Sequence, residues 1–181
     1  MCQKILAKDQ IMTTAIFRRG LWKTIASHND KEVKGFFGEY RFLSNFWPAK
    51  VFLDGEEYGS VENAYQAAKY KKEYREFLRT CNPKELKQYV EENDEGKYSA
   101  EEWAAMRDGV MKGLLVQKYD KELNPDIHEL LIATGGKYLE ETNYWGDIYW
   151  GVNKSNVDEE GVGENNLGKL LMEIRGAAKK E

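Results

Sequence analysis

Two hydrophobic periods run along the chain and predict different elements: apolar residues three or four apart mark helices, and alternation marks strands. From Val61, the positions Val61, Ala64, Tyr65 and Ala68 form a helical stripe behind Ser60, which has the character of an N-cap. Asn82-Pro83 opens a second helix with proline at its first position. Ser99-Ala100-Glu101-Glu102 is a capping box, and the helix behind it carries Trp103, Met106, Val110, Met111, Leu114 and Leu115 on one face. Asn124-Pro125 opens a helix that ends near Thr134-Gly135. A last helix starts near Asn165 or Asn166 and buries Leu167, Leu170, Leu171 and Ile174. Between Ile16 and Ile25, apolar and basic residues mix in the manner of a short helix.

Alternation is confined to the first third. Residues 35–48, GFFGEYRFLSNFWP, read as a strand or extended segment halted by Pro48. Val51-Phe52-Leu53 and Glu56-Glu57-Tyr58 flank Asp54-Gly55, a pair suited to the positive φ angles of a tight hairpin. The fold class expected is α+β: a mainly α-helical single domain with a small antiparallel β-hairpin and at most one further short strand. Helices and strands do not alternate regularly, which disfavours a Rossmann or barrel fold. Residues 1–32 are set apart as an N-terminal extension of unknown role, and residues 33–181 form the domain.

Composition narrows the function classes. At 181 residues and 41% hydrophobic, the chain suits one domain with a real core. A net charge of −4 lacks the electrostatic footprint of a general nucleic-acid binder, while leaving room for a local basic pocket. The two cysteines, Cys2 and Cys81, and the isolated His28 and His128 supply no disulfide framework, no zinc motif and no nucleophile–histidine pairing. No metal and no cofactor are expected. The absence of a long apolar run or a leader pattern makes the cytoplasm the default compartment, with no membrane association. Oligomeric state is not legible.

Three stretches carry candidate chemistry. Glu62, Gln66 and Lys69 lie four and seven positions apart and share a helix face beside the apolar stripe, where a carboxylate, an amide and an amine converge. The competing reading is a solvated face with an ordinary ion pair, although the small Ala64, Ala67 and Ala68 allow close approach. Residues 134–153, TGGKYLEETNYWGDIYWGVN, hold Trp145-Gly146 and Trp150-Gly151 among acids including Asp147. Such a loop brings backbone and a stacking ring to a ligand, or else plugs a core. In GVGENNLGKLL, residues 161–171, a loop runs into a helix N-terminus suited to a phosphate.

Taken in order, these pieces resemble the NADAR family, named for its association with NAD and ADP-ribose. The resemblance rests on FGEYRFLSNFWP, DGEEYGSVENAYQAAKY, Trp103 with Arg107, Met111 and Lys118, LLIATGGKYLEETN with GDIYWG, and GVGENNLGKLLMEIR, over roughly residues 33–176. It implies a mainly helical domain that hydrolyses N-glycosidic bonds. The substrates implied are phosphoribosylamino intermediates of riboflavin synthesis, or guanine in nucleic acid carrying ADP-ribose, so that the enzyme would reverse ADP-ribosylation. The family's glutamate matches Glu62, its helix lysine Lys69, its tryptophan on the following helix Trp103, and its late acid and Trp-Gly pair Asp147, Trp150 and Gly151. Its Asn-x-Leu-Gly turn is matched loosely by Asn165 to Gly168, which brings in Asn166. The chain departs from the family at Asn63, where histidine is frequent, at Tyr65, where phenylalanine is frequent, and in a longer, more acidic loop over residues 153–160.

The roles expected are these. Glu62 stabilises positive charge at ribose C1 or protonates the leaving nitrogen. Lys69 acts as a Schiff-base amine or as a phosphate ligand. Asp147 positions water or ribose hydroxyls. Trp103 and Trp150 stack on the base or wall off the sugar, Arg41 and Arg107 contact phosphate, and Ser44, Asn45, Gln66, Gly151 and Asn166 line the substrate. For Arg107 the alternative is an ion pair with an acid on its own helix. The partner is a nucleotide-like small molecule or ADP-ribosylated guanine in nucleic acid. Two rival functions remain: a non-catalytic ADP-ribose-binding module, and an interaction protein whose acidic Asp158-Glu159-Glu160 contacts other proteins.

Overall fold

The computed structural model describes residues 26–154 and 160–179. The expected helix between Ile16 and Ile25 lies outside the described residues. In chain order come β1 (Ser27–His28), β2 (Glu32–Lys34), a 3-10 turn (Gly38–Leu43), β3 (Pro48–Leu53), β4 (Glu56–Ser60) and α1 (Val61–Ala67). A 3-10 turn (Lys72–Tyr74), α2 (Glu76–Thr80), α3 (Pro83–Glu92), α4 (Ala100–Lys118) and α5 (Pro125–Ala133) follow. Strands β5 (Tyr138–Glu140), β6 (Thr142–Asn143) and β7 (Val152–Asn153) and helix α6 (Asn166–Ala178) complete the order. The α+β class is as expected, and no helix among the described residues is long and apolar enough to cross a membrane.

The described residues form two compact units, one of 26–40 with 136–154 and 160–169, the other of 41–135 with 170–179. In the first, β1 pairs antiparallel with β2, and β2 pairs parallel with β5. Strands β6 and β7 form a separate parallel pair. These short strands escape a periodicity test because two or three residues hold too little alternation to read. Val33 and Leu139, on neighbouring strands, are fully buried.

The second unit is built on the β3–β4 hairpin and α1 to α5. Asp54 and Gly55 take φ of 51° and 84°, the backbone an Asp-Gly turn demands. Two amides extend the hairpin edge: Gln117 accepts from Phe52 N at 2.7 Å, and Asn124 accepts from Lys50 N at 2.9 Å. The strand expected over residues 35–48 is instead a 3-10 turn, and Pro48 begins β3 rather than ending a strand. Period-two aromatics misled here: Phe36, Phe42 and Leu43 are all buried, by a tight turn rather than a pleat.

Helix α1 starts as expected, with Ser60 accepting from Asn63 N at 3.1 Å. It ends after seven residues because the chain leaves to pair elsewhere. Tyr98 N donates to Lys69 O at 2.9 Å, Lys71 N donates to Gly96 O at 2.8 Å, and Tyr70 bridges Lys97. Val61, Ala64, Tyr65 and Ala68 are buried, as the stripe predicts. Ser99 and Glu102 form the expected capping box of α4.

Candidate active site

The second unit gathers most of the expected residues around α1. Glu62 is only 9% exposed, so the solvated-face alternative does not hold. Its backbone N–H donates to Asn45 O at 2.9 Å, which pins the first turn of α1 to the 44–45 turn. Its Oε1 accepts from Gln66 Nε2 at 3.0 Å. The amide of Asn45 reaches Met111 Sδ on α4 at 3.5 Å. Glu62 is thus bonded to both Gln66 and Asn45, and Asn45 to α4.

Lys69 sits just beyond α1, in the turn toward Tyr70, rather than on the helix. Its Nζ lies 5.7 Å from the Tyr65 ring centre and 5.8 Å from that of Trp103. The two rings meet edge to face, with centroids 5.0 Å apart. This enclosure lowers the Lys69 pKa: burial is the main cause, the Lys97 charge adds to it, and Glu62 opposes it. Lys97 is brought there by the bridge to Tyr70 and held by Asp94 at 2.8 Å. Nothing in its local sequence announces that role.

The turn carrying Ser44 and Asn45 is held by Lys118, which is fully buried. Its ammonium donates to Ser44 O at 2.8 Å and lies 5.1 Å from the Tyr119 ring centre. A lysine four positions after Leu114 on an apolar helix face was the signal for this burial. Arg107 is half-buried on the Trp103–Met111 face of α4, and its Nε lies 3.8 Å from Asp108 Oδ1, a geometry that includes the expected ion-pair alternative. Arg41 is exposed at the end of the first 3-10 turn.

The remaining expected residues belong to the first unit. Asp147 Oδ1 accepts from Tyr149 N at 3.1 Å and Trp150 N at 2.9 Å, so the carboxylate shapes the turn that presents Trp150. Asn143 brackets Asp147 from both sides, donating to its carbonyl at 2.7 Å and accepting from its N–H at 3.1 Å. Gly151 is required by packing: a Cβ there would come within 2.3 Å of Glu141 O. Asn166 donates its side chain to Glu164 at 2.9 Å.

The expected phosphate cradle at the start of α6 meets a physical obstacle. The N–H groups of Asn166 and Leu167 already donate to the carbonyls of Tyr149 and Trp150, at 3.3 and 3.0 Å. The helix start thereby anchors the tryptophan loop. Asn165, at φ 54°, supports the same junction by donating to Leu139 O at 2.9 Å.

A cavity of about 310 Å³ in the second unit is lined by the hairpin and α2 and includes none of the expected site residues. Its arginines are matched by acids, Arg79 by Glu76 at 2.9 Å and Arg75 by Asp54, so it offers little net charge to a phosphate. Among the described residues no group of three or more His, Cys, Asp or Glu side chains is placed to hold a metal.

Comparison with known proteins bears on this geometry. The NADAR domain matches residues 30–178. The N-glycosidase YbiA of Escherichia coli (strain K12) is 33% identical over 141 residues, which cover 76% of this chain and 81% of the relative. The N-glycosidase YbiA of Shigella boydii serotype 4 is similar to the same extent. The NMR structure of the E. coli protein YbiA superposes with a TM-score of 0.65 at 26% identity, covering 87% of this chain and 93% of that one.

Proposed function

The chain belongs to the NADAR family and is a hydrolase of N-glycosyl bonds, and we propose that the bond it cuts joins C1 of a ribose to an amine nitrogen of a nucleotide-like substrate, with Glu62 and Lys69 as the reacting side chains. The observation that carries this assignment is the pairing of a buried carboxylate with a lysine whose burial lowers its pKa. A lysine inclined to shed its proton is a poor phosphate ligand and a good nucleophile toward an imine carbon.

The proposed sequence is as follows. The lone pair of the glycosidic nitrogen forms C1=N as the C1–O4 bond breaks and O4 takes a proton, which Glu62 supplies. The Lys69 amine adds to C1, a proton moves from Lys69 to the departing nitrogen, and the amine leaves. Lys69 is then joined to C1 as an imine. Water adds to that carbon as Glu62 takes its proton back, and the C–N bond to Lys69 breaks to free the sugar and restore the amine. Glu62 stabilises the cationic iminium stages. Trp103 and Tyr65 wall the amine from water, which favours its neutral form. In the first unit, Asp147 shapes the turn that carries Trp150.

Two substrate classes fit this chemistry: guanine carrying ADP-ribose, as a nucleotide or in nucleic acid, and phosphoribosylamino pyrimidines of riboflavin synthesis. Chromatography of reactions offered each in turn separates them. Free ADP-ribose from ADP-ribosylated guanosine assigns the first class, and ribose phosphate from the pyrimidine assigns the second. Borohydride added during turnover is expected to fix the sugar on Lys69, seen as a mass increase on its peptide. Turnover without any trapped adduct would remove the covalent route. Binding of ADP-ribose with no cleavage of either substrate would point to a reader rather than an enzyme.

A further inference from the structure

Two amide oxygens beside Glu62 have no internal account. Gln66 Oε1 and Asn45 Oδ1 are buried and have no hydrogen-bond partner among the described residues. A buried acceptor left unpaired is costly, and such atoms are few in folded proteins. Gln66 turns its NH₂ to Glu62 Oε1, at 3.0 Å, and its oxygen away. Asn45 is tied to the same residue through its carbonyl, which accepts from Glu62 N. Gln66 Oε1 therefore lies beside the carboxylate, Asn45 Oδ1 belongs to the residue that holds the Glu62 backbone, and both ask for a donor.

We propose that Gln66 Oε1 and Asn45 Oδ1 accept hydrogen bonds from the sugar hydroxyls next to C1, so that the enzyme selects ribose over 2-deoxyribose. The proposal rests on the reading that Glu62 works at ribose C1. Given that reading, the carbon beside C1 carries the 2-hydroxyl, and a group bonded to Glu62 is the one placed to meet it. Two acceptors suit a vicinal diol, which brings two donors. A deoxy sugar would leave an acceptor buried and unpaired, and sites built to bond a hydroxyl reject analogues that lack it far more strongly than apolar pockets reject a missing methylene. On this reading Gln66 and Asn45 determine specificity, while Glu62 and Lys69 do the chemistry.

Ribose 5-phosphate and 2-deoxyribose 5-phosphate are suitable probes, because the sugar phosphate is common to both substrate classes and its binding needs no turnover. Calorimetry on the full chain should show the ribose compound binding at least about tenfold tighter. Gln66→Met, similar in size but unable to accept comparably, should remove most of that gap by weakening the ribose compound and leaving the deoxy compound unchanged. Asn45→Leu should act in the same direction, and it tests the idea separately should Gln66→Met fail to fold. Equal affinity of the wild type for the two sugars, or no binding of either, would overturn the proposal. So would a gap that persists in both variants, or Gln66-dependent binding of free guanine, which would assign the oxygens to base N–H groups. Selective sugar binding without N-glycoside cleavage would defeat the catalytic reading while leaving the sugar contacts standing.

Discussion

Lys69 owes its character to neighbours from three places: Tyr65 one turn back, Trp103 on α4, and Lys97 from the segment bridged to Tyr70. Burial and the Lys97 charge both favour the neutral amine, while Glu62 favours the ammonium. The sign of a pH test follows. Below its pKa Lys69 is ammonium and cannot attack; above it the amine is free, so the rate should climb as pH rises through the lowered value. Lys97→Met removes a repelling charge, raises the Lys69 pKa and should move the rising limb of kcat to higher pH. A profile unchanged by Lys97→Met would show that Lys69 does not titrate in the rate-determining step. The sequence pointed to Glu62 and Lys69 through their types and spacing, but Lys97 becomes a neighbour only through strand-like pairing, for which no local pattern exists.

The elements show where local pattern suffices and where tertiary pairing overrides it. The hairpin was legible because Asp54-Gly55 dictates its own backbone. Gly55→Val, forced to φ 84°, should lower the stability of the fold by roughly 1–2 kcal/mol, read as a fall in melting temperature. Helix α1 was legible at its start and not at its end, since Ser60 caps it locally but the partner that draws the chain away, residues 96–98, lies far along the sequence. Asn63, one of the departures noted from the family pattern, has a structural role. Its Nδ2 donates to Leu78 O at 3.1 Å and Cys81 O at 2.9 Å, and its Oδ1 accepts from Ser60 Oγ at 2.7 Å. This clamps the helix that carries Glu62 to the end of α2. Asn63→Ala removes two buried hydrogen bonds to main-chain carbonyls and should cost about 1–3 kcal/mol in denaturant unfolding, with borohydride trapping, where it survives, still confined to Lys69. An unchanged midpoint would contradict the clamp.

For the molecule as a whole, the α+β class was readable from the two periods, whereas the parallel β2–β5 and β6–β7 pairings were not, because β2 and β5 lie far apart in sequence and all four strands are only two or three residues long. The glycines and Asp147 of the tryptophan loop were read as ligand contacts, and the structure gives Gly151 a packing role and Asp147 a capping role within the loop. The account rests above all on one carboxylate. Its most direct test is single-turnover cleavage by wild type and Glu62→Gln on the substrate that the product assay selects, with circular dichroism on both proteins. The account predicts an unchanged spectrum and a cleavage rate lower by about 100-fold or more in Glu62→Gln. A folded Glu62→Gln protein that cuts at the wild-type rate would contradict it.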